Sequence, residues 1–448
     1  MSLDIWQGAE QEYAAGQHPI RLFEALGRKG IYIFKQADSV PRAFLVNGGL
    51  CYIHSNLFEV CTPECRNPLE AVAYDKASEA YARLASWTHE EETGERVHLY
   101  KTNIAYDPKG EQPYTTVGSH ENYLVERRAY HKNLHLLVPY LILRQVFCGA
   151  GGYVGSRYMV SPRTIFPKTV YSEVSSDYPL MSTRDESHTG EEYSRAHLVN
   201  GEGARSEYTT FLKHAITGYV LKAVEWEHLR TVPELNDPIE SNKAVSMNLD
   251  GDWAVPLIDG TTMKVTDYLN SYYLEAVEKV FAEAAPREHD RFALREFKWV
   301  LEKLDEGLIA SLDKSIEWVI KMRLAEGELG ELGIEEGLDL DSAKTAAMFQ
   351  YTAVTDSLYE ELVERYGLKT VVQESDIEQA FTRPPKKSRG ELRVALAERF
   401  KDKVKTISWS YLKVRPELHI YPFEFNTLDG WTPEKIEGKI AEIESRLR

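Results

Sequence analysis

The chain has 448 residues, of which 43% are hydrophobic, and a formal net charge of −17; this composition is that of a globular protein with a full core. The negative charge argues against a surface that neutralises nucleic-acid phosphates. Pro139 and Arg144 interrupt the longest apolar run, and the first residues lack the basic-then-apolar pattern of a secretory signal. We therefore expect a cytoplasmic protein that binds neither nucleic acid nor membrane.

The predicted elements alternate between strands and helices without regular βαβ spacing. Short segments rich in β-branched and aromatic residues predict strands, whereas apolar residues at helical spacing predict helices. A turn at Arg383-Pro384-Pro385 precedes a short tail, and we expect a domain boundary near Ser375. This order indicates an α+β fold with one antiparallel sheet backed by helices. The predicted strands are 31–34, 42–47, 97–103 and 120–125, and the predicted helices are 68–85, 134–146, 209–225 and most of 267–326.

Common nucleotide and metal motifs are missing from the sequence. There is no GxxxxGK[ST] loop, and the glycines of segment 148–155 do not have the GxGxxG spacing, so we interpret that segment as a flexible connection. The four cysteines form no CxxC pair, which favours reduced thiols over a zinc site. The acidic run 326–341 is typical of a solvated loop and helix ends.

A pair of carboxylates near the start of the chain is a candidate cation site. Glu10 and Glu12 are two residues apart, and in a strand such residues share one face. Two neighbouring carboxylates repel each other unless a cation lies between them. Carboxylate oxygens together with phosphate oxygens are the ligands that Mg²⁺ prefers. The same spacing is also common on exposed strands, so it does not establish a site by itself.

Three further polar clusters follow along the chain. Tyr52 and His54 share a predicted strand face, with Glu59 and Thr62 in the loop expected after it. Segment 119–123 is polar although it lies on a predicted inner strand, and segment 182–188 contains Arg184. A guanidinium can clamp a phosphoryl group bidentately, which stabilises phosphoryl transfer. Taken singly, each cluster is equally well explained by ordinary loop polarity or a salt bridge.

In this order, the clusters resemble the family of Pup ligases and depupylases, where Pup is the prokaryotic ubiquitin-like protein. Similar segments run from the N-terminus to the tail, and the HENYL and TRDE segments are the most specific. The segments that carry the resemblance are 8–13, 47–52, 59–65, 75–79, 120–124, 144–145, 148–151, 183–186, 212–213, 318–321, 384–385 with Arg389, and Trp409.

The resemblance implies a glutamine-synthetase-like fold. In this family a curved antiparallel sheet, here within residues 1–375, holds ATP and Mg²⁺ on its concave face. A small C-terminal α+β domain, here residues 376–448, closes the nucleotide site. Carried over position by position, Glu10, Tyr52 and Glu59 match the family's Mg²⁺ ligands. Thr62 and Trp409 match positions that contact ATP.

The sequence departs from the family pattern beside the metal position. His54 stands where the family has a catalytic Asp, and Leu50 where it has an ATP-contacting Arg. The loop between His54 and Glu59 is one residue shorter than in the family. The stretch between Glu12 and Tyr52 is too short for the loop that depupylases insert there. The resemblance therefore favours the ligase branch, with a changed residue at the position of the catalytic base.

We expect an enzyme that uses ATP and Mg²⁺ to activate a carboxylate as an acyl phosphate and join it to an amine. The carboxylate would belong to a Pup-like protein, a peptide or a small acid. His54 is the candidate base and Arg184 the candidate for binding the transferred phosphoryl group. His54 could equally be an inert replacement. Two alternatives stay open: a depupylase-like amidohydrolase that uses ATP or ADP, and a non-catalytic paralogue that binds nucleotide and a protein partner.

Overall fold

The computed structural model describes residues 2–16, 18–36, 40–105, 115–327, 340–415 and 420–447. Most of the acidic run 326–341 lies outside these ranges. Among the described helices, none combines the length and the hydropathy that crossing a bilayer requires.

The strands in chain order are β1 Gln7–Tyr13, β2 Tyr32–Gln36, β3 Arg42–Leu45, β4 Leu50–His54, β5 Leu57–Cys61, β6 Ile104–Ala105, β7 Thr115–Thr116, β8 Ser119–Glu126, β9 Gly152–Val154, β10 Arg157–Met159, β11 Thr169–Ser172, β12 Pro179–Ser182, β13 Tyr193–Leu198, β14 Ala254–Pro256, β15 Thr262–Lys264, β16 Val404–Ile407, β17 Tyr411–Val414 and β18 Tyr421–Glu424. The α-helices are α1 Pro19–Arg28, α2 Pro68–Thr93, α3 Arg127–Lys132, α4 Leu134–Leu143, α5 Gln145–Cys148, α6 Glu207–Glu225, α7 Pro238–Met247, α8 Val265–Tyr268, α9 Glu275–Glu283, α10 Glu288–Asp305, α11 Glu317–Ala325, α12 Leu340–Thr352, α13 Leu358–Tyr366, α14 Glu374–Thr382, α15 Arg389–Arg399 and α16 Pro433–Leu447.

The chain divides into two compact units, each built from segments that are distant in sequence. The larger unit contains Met1–Ile5, Tyr100–Asp185 and Ser194–Val371, and the smaller unit contains Trp6–Leu99, Glu186–Tyr193 and Val372–Arg448. The residues of each unit contact one another more than they contact the rest of the chain. A boundary near Ser375 between separately folding domains stays a prediction.

In the larger unit, four strands lie in the order β11-β12-β13-β8. β12 and β13 are antiparallel, but β11 and β12 are parallel, so the expectation of a purely antiparallel sheet is wrong at this edge. Helix α6 forms the core of the unit, since nearly all its side chains are buried. It begins at Ser206, whose side chain accepts a hydrogen bond from the amide of Thr209 and so caps the helix.

The smaller unit contains five antiparallel strands in the order β1-β5-β4-β3-β2. One face of these strands packs against α1 and α2. For example, the Tyr13 hydroxyl lies 2.6 Å from the Ser78 hydroxyl of α2. The even-numbered residues of β1 point to the opposite face. The sheet β16-β17-β18 and helices α15 and α16 form an apolar core that also includes Phe44 of β3, so this core covers part of that opposite face.

The structure confirms most of the predicted elements and corrects several. The helix predicted over 68–85 extends to Thr93, and the helix predicted over 134–146 is interrupted at Arg144. Segment 97–103 is extended, and alternate residues are buried, but it forms no strand; only Tyr100 makes an isolated bridge, to Ala353. Extended chain gives the same alternation as a strand whether or not a neighbouring strand pairs with it. Within segment 148–155, Gly151 is closely packed, because it has φ +62° and a side chain there would collide with Tyr158 and Trp318.

Candidate functional site

The register of the smaller unit's sheet aligns polar side chains in one row across neighbouring strands. Glu12 of β1 is opposite Glu59 of β5, Glu59 is opposite Tyr52 of β4, and Tyr52 is opposite Arg42 of β3. Directly opposed residues in antiparallel strands project to the same face, with their Cβ atoms ~5 Å apart. Glu10 shares this face, because it lies two residues from Glu12 on β1. The row therefore brings three carboxylates together with a tyrosine and an arginine.

A tight hairpin fixes the register of β4 against β5. Ser55 and Asn56 connect the two strands with φ angles of 48° and 63°, as a two-residue type I′ turn requires. The Asn56 side chain donates a hydrogen bond to the carbonyl of Gly16. Because the turn has only two residues, Glu59 lies within β5 and not in a loop, which corrects the sequence interpretation. Its position in the middle of the sheet, between β1 and β4, explains why Glu59 is buried.

Glu59 is a buried acid with only part of its hydrogen-bonding capacity satisfied. Its side chain is 1% exposed, and Tyr52 donates its hydroxyl hydrogen to Oε1. The Oε2 atom is buried and has no hydrogen-bond partner. Burial, reinforced by the charges of Glu12 and Glu10, raises the pKa of the Glu59 carboxyl well above its usual range. An ionised Glu59 therefore needs a cation beside it.

The geometry around Glu59 is suited to such a cation. Ligand atoms of Glu12, His54 and Glu59 all lie within 4.8 Å of one another. The two carboxylates provide hard oxygen donors, as Mg²⁺ prefers. We call these three residues, together with Glu10 on the same face of β1, the acidic cluster. Its donor set and the buried oxygen of Glu59 fit a divalent cation.

The predicted Mg²⁺ ligands Glu10, Tyr52 and Glu59 all lie on this face, but Tyr52 is bonded to Glu59. Burial, with neighbouring carboxylates, raises the pKa of the Tyr52 phenol well above its usual range, so Tyr52 is a neutral hydrogen-bond donor here. Glu12 lies closer to Glu59 in register than Glu10 does, since Glu10 is opposite Cys61. The assignment of Glu10, Tyr52 and Glu59 as metal ligands stays a prediction. The Glu-x-Glu spacing was the sequence signal for Glu12.

His54 ends β4 at the exposed side of the cluster. Its side chain is 61% exposed, and its Nδ1 atom lies 3.9 Å from Oε2 of Glu59. The position therefore allows His54 to accept a proton from a group that approaches from solvent.

Thr62 and Trp409, the two predicted ATP contacts, lie on the same unit. Thr62 follows β5 and is buried; its hydroxyl accepts a hydrogen bond of 3.0 Å from the amide of Ala9. Trp409 precedes β17, is half-buried, and packs edge-on against Phe44 with 5.4 Å between ring centroids. Phe44 is two residues from Arg42 on β3, so Trp409 covers the face that carries the acidic cluster. Contact of either residue with ATP stays a prediction.

A buried arginine that the sequence interpretation did not identify fixes Trp409. Arg393 of α15 is fully buried, and its guanidinium lies 4.7 Å from the centroid of Trp409 and 5.1 Å from that of Phe44. It donates hydrogen bonds to the carbonyls of Trp409 and Gly48, at 2.9 and 2.6 Å, and to both carboxylate oxygens of Glu64. Sequence patterns gave no signal for Arg393, because its partners are distant along the chain.

Arg184, the predicted phosphoryl ligand, belongs to the larger unit. Its side chain is exposed, its amide hydrogen-bonds to the Ser182 hydroxyl at 3.3 Å, and its guanidinium donates to the carbonyl of Glu173 at 3.4 Å. These contacts hold the segment after β12 in place. A role of Arg184 in binding a phosphoryl group stays a prediction.

Comparison with known proteins identifies relatives along most of the chain. A model of the family described as Pup-ligase protein matches residues 8–413. The Pup–protein ligase of Xylanimonas cellulosilytica is 32% identical over 415 residues, which cover 86% of this chain and 88% of that protein. The Pup–protein ligase of Paenarthrobacter aurescens is 27% identical over 420 residues, covering 87% and 88% of the two chains.

Solved structures with a similar fold include Pup ligases. One, of the complex between Pup and its ligase PafA, has a TM-score of 0.82 at 24% identity and covers 99% of this chain and 93% of that one. Another, of PafA in complex with ADP, has a TM-score of 0.78 at 24% identity and covers 90% of each chain. These likenesses confirm the predicted α+β fold with its small C-terminal sheet. With the match over residues 8–413 and the relative that is 32% identical, they show that the chain belongs to the Pup-ligase protein family.

Proposed function

We propose that this protein is an ATP-dependent carboxylate–amine ligase that joins a Pup-like protein to an amine. The observation that supports this most is the acidic cluster, in which a buried glutamate keeps an oxygen without a hydrogen-bond partner. It lies in a chain whose relatives are named Pup–protein ligases. A buried carboxylate left without a cation costs stability, so its presence indicates a ligand-binding role.

In the proposed site, Glu10 and Glu59 would hold Mg²⁺, with Glu12 adjacent and Tyr52 orienting Glu59. Thr62 and Trp409 contact the nucleotide. When bound, Mg²⁺–ATP supplies the phosphoryl group that converts the donor carboxylate into an acyl phosphate. The acidic side chains fix the position of that chemistry on the sheet.

His54 accepts the proton that the attacking amine must lose. Its exposed imidazole lies at the solvent side of the acidic cluster, with Nδ1 3.9 Å from Oε2 of Glu59. A neutral imidazole does not attract a lysine ammonium as a carboxylate does. We therefore expect the amine preference to differ from that of enzymes with an Asp at this position.

The proposed reaction takes place within a chain organised as a catalytic part, residues 1–375, and a small C-terminal part, residues 376–448, that closes the nucleotide site. Trp409 and Arg393 supply that closure from the C-terminal side. The four cysteines are all free and buried, which suits the reducing cytoplasm.

The test is an ATP-consumption assay with a Pup-like protein, peptides and small acids as donors and a panel of amines as acceptors. Products are identified by mass spectrometry. We expect an amide or isopeptide product formed with ATP consumption and abolished by chelation of divalent cations. Cleavage of a Pup conjugate without ligation would instead support the amidohydrolase alternative. ATP binding with neither activity would support the non-catalytic one.

A further inference from the structure

The sheet face that carries the acidic cluster also carries a guanidinium with no assigned role. Arg42 begins β3 directly opposite Tyr52, and Tyr52 is directly opposite Glu59. All three side chains therefore project to one face. Two strand spacings separate Arg42 from Glu59, roughly 10 Å between their backbones.

Arg42 also lies beside the proposed base-binding side of the nucleotide site. Phe44, two residues further along β3, shares its face and packs against Trp409. A nucleotide with its base near Trp409 and its metal-bound phosphates near Glu59 must cross the stretch of sheet between β3 and β5. Arg42 and Tyr52 occupy that stretch.

A positive group at this point of the row would favour the binding of a polyphosphate. Glu10, Glu12 and Glu59 are all acids, and each raises the cost of bringing a polyphosphate to the face. An arginine offsets this electrostatic cost, because its guanidinium is permanently charged and can bind phosphate oxygens bidentately.

Two other residues near this position do not supply the charge. Leu50 shares the face but packs with the apolar C-terminal core. Arg393 is fully buried, and its guanidinium is bonded to Glu64 and to two backbone carbonyls. The side chain of Arg42 is half-buried, and its strand register places it in the same row as Tyr52 and Glu59.

We propose that Arg42 is a phosphate-binding residue of the nucleotide site, where it neutralises the polyphosphate between Trp409 and the acidic cluster. This inference rests on the proposed function, because it takes the row as the floor of an ATP site. It assigns nucleotide affinity to a strand residue that neither the family resemblance nor the sequence spacing singled out.

The experiment is calorimetric titration of Mg²⁺–ATP and of AMP into the full-length wild type, Arg42→Met and Arg42→Lys. Loss of a charge-assisted hydrogen-bond pair should weaken ATP binding about 10–100-fold in Arg42→Met. Arg42→Lys should show a smaller loss, because it keeps the charge but not the fork. AMP, with a single phosphate, should lose less affinity than ATP.

The matched control is Lys35→Met. Lys35 lies on neighbouring β2 opposite Ala43, on the other face of the sheet, and pairs with Glu24 at 2.7 Å. Its removal should leave ATP affinity unchanged. Thermal unfolding of each variant identifies losses of ATP affinity that come from misfolding. If Arg42→Met does not fold, the comparison of Arg42→Lys with the wild type tests the inference.

Unchanged ATP affinity in both Arg42 variants would overturn the inference while leaving the proposed function intact. An equal loss for ATP and AMP, with a lowered unfolding temperature, would also overturn it, since that pattern indicates a structural role. A wild-type protein that binds no ATP would contradict the proposed function itself.

Discussion

Glu59 and Glu64 are only five residues apart, and their surroundings are opposite, although Glu59 is buried and Glu64 is only 13% exposed. Both oxygens of Glu64 accept hydrogen bonds from Arg393, and Arg389 donates to Oε1 as well. Although burial opposes its ionisation, Arg393 and Arg389 together hold the pKa of the Glu64 carboxyl down to about 2. At Glu59, by contrast, burial and the two neighbouring acids, Glu12 and Glu10, raise the pKa of the carboxyl.

The difference separates a structural acid from one that is available to a ligand. Glu64 joins the end of β5 to α15 and, through Arg393, to Trp409. Its charge is satisfied within the protein. Glu59 has a tyrosine on one oxygen and no hydrogen-bond partner on the other, so a bound cation would stabilise it. The predictions below test this contrast.

The largest expected effect is on stability. Glu64→Gln should lower the free energy of unfolding by about 3–5 kcal/mol, because it leaves two buried guanidinium groups without their counter-charge. Glu59→Gln should leave stability unchanged or raise it, since it removes a buried carboxyl with no cation. Urea denaturation measures both, and Glu24→Gln, at an exposed ion pair with Lys35, is the control, with an expected loss of no more than about 1 kcal/mol. Equal losses at positions 59 and 64 would break the contrast.

His54 should affect catalysis and not binding. His54→Ala should reduce the ligation rate about 10²–10⁴-fold, the usual contribution of a general base. ATP affinity measured by calorimetry should barely change, because the carboxylates remain. Thr62→Ala serves as the control for binding, with weaker ATP binding expected. Full ligation activity in His54→Ala would show that the base lies elsewhere.

Substitution of Trp409 should have a smaller effect, on ATP binding. Stacking of a base on an indole is worth about 1–3 kcal/mol, so Trp409→Ala should weaken ATP binding by about 5–150-fold while the protein stays folded. Trp431→Ala is a matched control, because Trp431 is also a partly buried tryptophan that packs against the same C-terminal core. An equal effect of both substitutions would show that Trp409 acts only through the stability of that core.

The smallest effect is a pH dependence that distinguishes the two acids. The pKa of Glu64 in the folded state, about 2, lies below the ordinary glutamate value of ~4.3. The contribution of ionised Glu64 to the stability of the folded protein is therefore complete above pH ~4.3 and is lost as the pH falls towards 2. The stability difference between wild type and Glu64→Gln should be constant from pH 7 to pH 5 and narrow at pH 4 and pH 3. A difference independent of pH would contradict the ion pair.

Local patterns in the sequence predicted β2, β3 and the strand face shared by Tyr52 and His54, and the two-residue spacing indicated the shared face of Glu10 and Glu12. They misplaced Glu59 in a loop, because a two-residue turn through Ser55 and Asn56 gives little local signal. Pairing depends on partners that are remote in the chain, so neither the parallel edge at β11 nor the Arg393–Glu64 contact could be predicted. The resemblance supplied the roles of Thr62 and Trp409, which spacing alone does not indicate.

The central claim is that Glu59 binds the divalent cation that carries ATP. The most direct measurement is calorimetric titration of ATP into wild type, Glu59→Gln and Glu10→Ala, with Mg²⁺ present and after its removal by chelation. We predict that wild-type binding depends on Mg²⁺ and that each substitution weakens it by more than about 100-fold, beyond the 10–100-fold typical of residues that only support a metal ligand. Unchanged affinity in both variants, or binding by the wild type that is independent of Mg²⁺, would contradict the account.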